Sequence, residues 1–347
     1  MQLQIWRLEG RLFHFGKQGF GQEETLIHWP SDSLYAALTA RLAALQGAEA
    51  VEKWMQPFLN GSPPFLLTSL FPYAGEIYFF PSPLAPQSTG KGQLPAELRP
   101  KDLKKVRYVS EGLYRRLITG RSLADEAGRV IQLQQRKVWL LPEEQKLLSK
   151  GLPENKIWEE EKRPRVTVGR ILGNSNLFHV GEVHFVQECG LWFGVQWRTS
   201  DRDIQNLFAL LLNDLGDAGL GAERSSGYGR ARFKIANHLE LPDPDGKMWT
   251  SLSRYLPREK EISALLHPQA AYQIQMVSGW LDSPQKPGQR RRLVRMLAEG
   301  AVLGALSSFP YGDVVDVRPK YPTNEDPLGH PVYRCGLAVA VGYGGEA

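Results

Sequence analysis

The chain has 347 residues, 42% of them apolar and 23% charged, with a net charge of +5. This is an ordinary globular mixture, long enough for two domains. No stretch approaches eighteen consecutive apolar residues, which argues against a membrane span, and the opening MQLQIWRLEGRLFHF alternates like a strand instead of reading as a signal peptide, so a cytoplasmic protein with no membrane partner is expected.

The first strand runs into a glycine-bearing loop, FGKQGFGQEE. HWPSDSLYAALTARLAAL follows, in which Ser31 or Asp32 can cap a helix whose Leu34, Leu38, Leu42 and Leu45 fall at helical spacing. FLLTSLFPY and EIYFFPSP read as strands broken at Ala74 and Gly75. From about Pro83 to Pro164 the chain becomes Pro-, Gly- and charge-rich, an expected insertion. Between Arg99 and Arg170, eighteen Lys and Arg face ten Asp and Glu, a net +8 that leaves −3 for the rest. So concentrated a positive field suits a polyanion, because neutralised phosphates release their counterions. After RVTVGR, the segments GEVHFVQ and LWFGVQW are expected to form a hairpin across Glu188, Cys189 and Gly190. A helix from about Asp203 then buries Leu207, Leu211, Leu212 and Leu215, and YGRARFKI is the next strand. The order of elements is compatible with a ferredoxin-like βαββαβ unit carrying a large insertion. LPDPDG, 241–246, is the expected domain boundary. Beyond it, AAYQIQMVSGWL, VVDV and VYRCGLAVAV read as strands and QRRRLVRMLAEG as a helical piece, giving a second small α+β unit.

No catalytic, metal or cofactor constellation emerges. The histidines, His14, His28, His179, His184, His238, His267 and His330, form no HExxH, and His179 and His184, five apart on a strand, point to opposite faces. Cys189 and Cys335 are too few for a disulfide framework or a zinc knuckle and read as small apolar residues of a reducing compartment. There is no GxSxG elbow, Walker loop or CxxC, and the glycines at 219, 221, 227 and 229 follow a helix instead of opening one, which disfavours a Rossmann site. His14, among the aromatics of FHFGKQGFG, has three readings: acid or base for attack by a 2′-hydroxyl, an RNA contact, or a residue completing the core edge. DAGLGAERSSGYGRARF, 217–233, is more informative. Its glycines let amides approach a phosphate, Arg224 and Arg230 add forked donors, and Tyr228 offers a stacking face, together a candidate nucleic-acid clamp.

HFG in the first strand, PSDSLYAAL, SLFPYAGEIYFFPSP, PRVTVGR after a basic insertion, RSSGYGR, AEGAVL and HPVYRCGLAVAV occur in one collinear series. The series resembles the RAMP-superfamily fourth Csm subunit of type III-A CRISPR effector complexes. The resemblance implies an α+β chain of tandem ferredoxin-like (RRM-like) domains, at 1–240 and 247–347, with a β-hairpin thumb inserted at about 100–164. It implies a non-catalytic RNA-binding subunit for antiviral defence that holds the 5′ repeat-derived handle of crRNA and bridges the large polymerase/HD-nuclease subunit to the backbone RAMP subunit. Carried over, the RNA-binding positions are His14, Gly16, Ser31, Arg165, Arg170, Arg224, Ser225, Ser226, Gly227, Tyr228, Gly229 and Arg230, with Arg136 and Lys137 in the thumb. Asp32 beside Ser31 is expected to be structural, since a carboxylate repels phosphate. Ala301 in EGAVL departs from the serine the resemblance leads one to expect there. The alternatives are a metal-independent endoribonuclease that processes repeat RNA, the equivalent handle-binding subunit of a type III-B complex, and a protein-only assembly subunit.

Overall fold

The structure, a computed structural model, describes residues 1–16, 24–84, 94–96, 98–149, 152–169, 175–244, 246–281, 288–320 and 328–344. Its centre is the strand Cys189–Trp197, whose Leu191, Trp192, Phe193 and Val195 are all fully buried. A run without polar alternation needs cover on both faces and neighbours on both edges. Gln2–Glu9 pairs antiparallel with one edge, and Phe65–Leu67 and Phe71–Ala74 share the other. Arg232–Glu240 lies outside Gln2–Glu9, again antiparallel. Ile77–Pro81, Tyr108–Ser110, Val138–Leu140 and Ile131–Leu133 extend the far side to nine strands.

Two helices, Ser31–Gln46 and Arg202–Ala218, lie against each other and connect strands of this sheet. The first buries Leu34, Leu38 and Leu42 but leaves Leu45 exposed, and the second buries Phe208, Leu211, Leu212 and Leu215. Asp201 caps the second, its Oδ1 accepting from the Asp203 amide at 2.8 Å, a contact worth about 1 kcal/mol. Ser31 does not cap the first: Pro30 holds the cap position, and Ser31 sits inside the helix with its hydroxyl committed elsewhere. AEAVEKWMQPFL forms a further helix, Ala48–Leu59, burying Trp54, Met55 and Phe58.

The stretch 100–149 is not the expected β-hairpin insertion. Leu113, Tyr114, Val138, Trp139 and Leu140 are buried, so short helices and strands continue the main sheet there. The basic side chains of this stretch stay at the surface, paired with exposed partners such as Glu143 for Arg116 or reaching in to the buried carboxylates of Glu126 and Asp102. A long hairpin lies further along, Trp158–Val168 with Ser175–Phe185, and of the expected thumb only 158–164 belongs to it. The expected pairing of GEVHFVQ with LWFGVQW is likewise replaced. The turn at Glu188, with φ 61°, leads from the hairpin into the main sheet, so the two segments join different sheets.

The C-terminal part is built from short strands. Met248–Ser251 runs between Val302–Gly304 and Ala340–Tyr343, while Ile274–Val277 pairs with Val294–Leu297 and Val314–Asp316 with Tyr333–Cys335. The expected helix in QRRRLVRMLAEG is therefore a strand: the ladder offered by Ile274–Val277 outweighs a helix-compatible spacing that has no apolar face to bury. Cys189 and Cys335 are buried free thiols, each pushed up to about 12 by burial. One buried cluster runs from the main sheet into this part, taking in Leu252, Val314, Cys335, Leu337, Val339 and Val341. The 241–246 boundary thus marks a break in sequence but not in packing. Among the described residues no helix is long and apolar enough to cross a membrane.

Candidate nucleic-acid interface

The long hairpin is a two-stranded ribbon of eleven-residue strands paired from Trp158↔Phe185 to Val168↔Ser175, about 35 Å from end to end. Its root is fixed. Trp158, Val180, Val183 and Phe185 are buried, Leu12–Phe13 pairs along Val183 and His184, and the Gln134 side chain donates to the Trp158 carbonyl and accepts from the Ile157 amide, both at 2.8 Å. The outer part stands in solvent, carrying Lys162 and Arg163 together with Val166, Val168 and Leu177, while Arg165 is half-buried.

Where the ribbon meets the glycine stretch, fully buried Glu182 is the hub. Tyr228 donates its hydroxyl to Glu182, Arg163 Nε lies 3.1 Å from Oε1, and His184 Nε2 is 2.9 Å from Oε2. Burial opposes ionisation of Glu182, but the Tyr228 and His184 hydrogen bonds and the Arg163 charge outweigh it, and the carboxyl titrates below its ordinary range. Arg165 donates to the Tyr228 oxygen at 2.9 Å, with its guanidinium 5.0 Å from the ring centre. Burial and the bond to Glu182 raise the Tyr228 pKa. Glu161, Glu182 and His184 bring one donor atom each within 4.8 Å of one another. The partners already on Glu182 account for this trio as an ion-pair network, not a metal site.

The glycine stretch does something other than cradle phosphate. Its amides are spent internally: Gly219 to the Leu215 carbonyl, Leu220 to Gly229, Ala222 to His14, Gly227 to Arg224 and Gly229 to Leu12. Gly221 and Gly229 have φ of 83° and 77°, and a Cβ there would collide with the carbonyls of His14 and Leu220. Gly221 lets the loop press against His14, and Gly229 lets it fold back on Leu220. Tyr228 is 1% exposed, so it is no stacking face for a base. His14 is 2% exposed, its Nδ1 2.6 Å from the Gly181 carbonyl, and is a strut at the ribbon root instead of an RNA contact.

The remaining expected positions are scattered. Arg165 joins the hub, and Arg224, Ser225, Ser226 and Gly227 form an exposed turn whose neighbour Glu223 reaches to 3.9 Å from Arg165. Gly16, exposed, ends the first-strand region, and Gly229 is buried. Exposed Arg230 follows the loop, its carbonyl against Gly10. Arg136 and Lys137 sit at the edge of the main sheet, paired with Asp102 and Glu160, each at 3.4 Å. Arg170 lies outside the described residues, as does most of FGKQGFGQEE.

Ser31 is buried between the N- and C-terminal parts, which closes it to RNA. Its hydroxyl accepts from the Arg254 amide at 3.0 Å, and its amide donates to Ser69 Oγ at 2.8 Å. Ser69 in turn donates to Glu299 at 2.6 Å, and Arg254 Nε and His28 Nε2 lie 3.4 Å and 3.7 Å from the Glu299 carboxylate. Burial opposes ionisation of Glu299, yet the Arg254 charge and the His28 contact hold it well below the usual carboxylate range. Beside it, Arg334 Nη1 is 2.8 Å from Asp32 Oδ2, both side chains buried, so Asp32 is structural. Ala301 is core, its carbonyl accepting from the Ser251 amide. Sequence reading missed this set, as it missed Glu182 and Arg163, because the partners are far apart in the chain and no spacing joins them.

Residues 244–343 match the family model described as the CRISPR Csm4 C-terminal domain. Over the whole chain, a Csm4 protein of Thermococcus onnurineus is 22% identical over 324 residues, covering 90% of each chain. Another, of Mycobacterium tuberculosis, is 24% identical over 343 residues, covering 96% of this chain and 95% of its own. A structure of a Csm3–Csm4 subcomplex in the type III-A CRISPR-Cas interference complex superposes with a TM-score of 0.64 at 17% identity, covering 97% of this chain and 98% of its own. A Csm1–Csm4 cassette with cA4 gives 0.56 at 19% identity, covering 99% and 98%. The matched segment makes the C-terminal part similar to that of CRISPR Csm4 subunits. Over its whole length the chain is similar to Csm4 proteins of CRISPR systems.

Proposed function

We propose that this chain is the non-catalytic subunit of a type III-A complex that grips the 5′ handle of crRNA, using the long ribbon as its thumb. The observation that carries the reading is the ribbon: a rigidly rooted, solvent-exposed hairpin with exposed Lys162 and Arg163 along it and the exposed Arg224–Gly227 turn beside its root. Basic side chains take phosphates, and the apolar Val166, Val168 and Leu177 suit contact with unstacked bases. The order Arg232–Glu240, Gln2–Glu9, Cys189–Trp197, Phe65–Ala74, with two crossover helices, supports a ferredoxin-like unit over 1–240 and a second unit over 247–347. Likeness to a Csm3–Csm4 subcomplex and a Csm1–Csm4 cassette supports the backbone and large subunits as its protein partners. Buried His14, held by a carbonyl, is poorly placed to act on a 2′-hydroxyl, which favours a scaffold over a nuclease.

The test is nuclease footprinting of the handle in the reconstituted complex with Lys162→Ala/Arg224→Ala. The expected loss of handle affinity is about 10- to 100-fold, with a shallower salt dependence. Unchanged protection refutes the grip. Metal-independent cutting of repeat RNA by the parent chain refutes the non-catalytic reading.

A further inference from the structure

The C-terminal part carries a second ribbon, Ile274–Val277 with Val294–Leu297, paired from Ile274↔Leu297 to Val277↔Val294. Ile274, Met276 and Leu293 are 56%, 47% and 52% exposed, and Met276 stands directly across from exposed Arg295. At the ribbon end Trp280 is 61% exposed, whereas Trp139, Trp158, Trp192 and Trp249 are fully enclosed. Arg290 bridges to Trp280 across the ribbon and places its guanidinium 4.6 Å from the indole centre.

The charge here is one-sided. Between Ala270 and Ala298 the sequence holds Lys286, Arg290, Arg291, Arg292 and Arg295 against Asp282 alone, a net +4. Lys286 and Asp282 lie outside the described residues, so four arginines and no carboxylate remain among the described ones. Two of the four serve the fold. Arg291 donates to the Ser278 carbonyl and is pushed down to about 10 by burial and the charge of Arg334, and Arg292 donates to the Asp316 carbonyl. Arg290 and Arg295 are exposed.

We infer that this ribbon is a second contact for single-stranded RNA, separate from the long hairpin and independent of the handle reading. Trp, Met and Arg are also enriched at protein interfaces, but four arginines with no carboxylate among the described residues of 270–298 favour a polyanion, and one of them lies over an indole. That pattern matches single-stranded nucleic acid: a base stacks on the aromatic ring, flanking arginines neutralise phosphates, and aliphatic side chains cover the sugar and base edges. Met276 beside Arg295 repeats the arrangement one step along the strand pair.

The probe is a fluorescein-labelled ten-nucleotide oligouridine, followed by anisotropy with the full chain, and its 4-thiouridine form for photo-cross-linking and peptide mapping. The expected results are a 5- to 100-fold weaker affinity in Trp280→Ala, near-parent binding in Trp280→Phe, and a log–log salt slope shallower by about one in Arg295→Ala. Thermal melts of all three are expected to match the parent, since both side chains are exposed. Cross-links are expected within 274–281 or 288–297. The inference is overturned if Trp280→Ala binds like the parent, if cross-links fall only outside this ribbon, or if the ribbon variants change self-association in sedimentation instead of RNA binding.

Discussion

Tyr228→Phe separates two roles that the sequence leaves superimposed. As a stacking platform, the ring would serve RNA equally well without its hydroxyl. In the structure the ring is buried, and the hydroxyl donates to the buried carboxylate of Glu182 while accepting from Arg165 at 2.9 Å. Removing it deletes one charge-assisted hydrogen bond to a carboxylate and leaves Arg165 one acceptor short, at a cost of about 1.5–3 kcal/mol. With an unfolding entropy of about 2.1 cal/mol/K per residue, a chain of this length has ΔS near 0.7 kcal/mol/K, so the melting temperature should fall by roughly 2–4 °C. Differential scanning calorimetry or a far-UV melt reads this directly. Affinity for short RNA should be unchanged well below the transition, because the ring faces the protein interior. A Tyr228→Phe chain that melts like the parent would refute the Glu182 hub. One that keeps its stability but loses RNA affinity would place the hydroxyl itself on the RNA.

The interdomain pair gives a second test. Arg334→Met strands a buried carboxylate on Asp32 and should cost about 3–5 kcal/mol, while Asp32→Asn in the same chain should recover a large part; urea titration of the singles and the double measures it, and additive losses would contradict a buried pair. For pH, Glu182 and Glu299 both have folded pKa values below their unfolded ones. Their stabilisation is therefore complete above the unfolded carboxyl value of about 4.3 and is lost as pH falls through the folded values. The melting temperature should hold from pH 7 to about 5 and drop below about 4, less steeply in Glu299→Gln; equal acid sensitivity of parent and variant would contradict the assignment.

Local pattern made the two long helices legible. Leu34, Leu38 and Leu42 in one, and Leu211, Leu212 and Leu215 in the other, announce an apolar stripe that must be buried wherever the helix goes. The collinear series of short motifs led to the likeness with Csm4 proteins. Charge runs misled. The basic stretch near 100–149 looks like an insertion because lysine and arginine dominate it, yet Leu113, Tyr114 and Trp139 are enough to fold it onto the sheet with its lysines and arginines at the surface.

The sequence by itself determined the period of each strong element and the excess of positive charge, because both are properties of neighbours in the chain. Only the tertiary structure decided what the singled-out residues do. Tyr228, His14 and Ser31 each look like ligand contacts in isolation, and each is buried against a partner from a distant segment: Glu182, the Gly181 carbonyl and Arg254. A hydroxyl or imidazole binds the first good partner that burial brings to it, and that partner is fixed by strand order and packing, not by spacing along the chain.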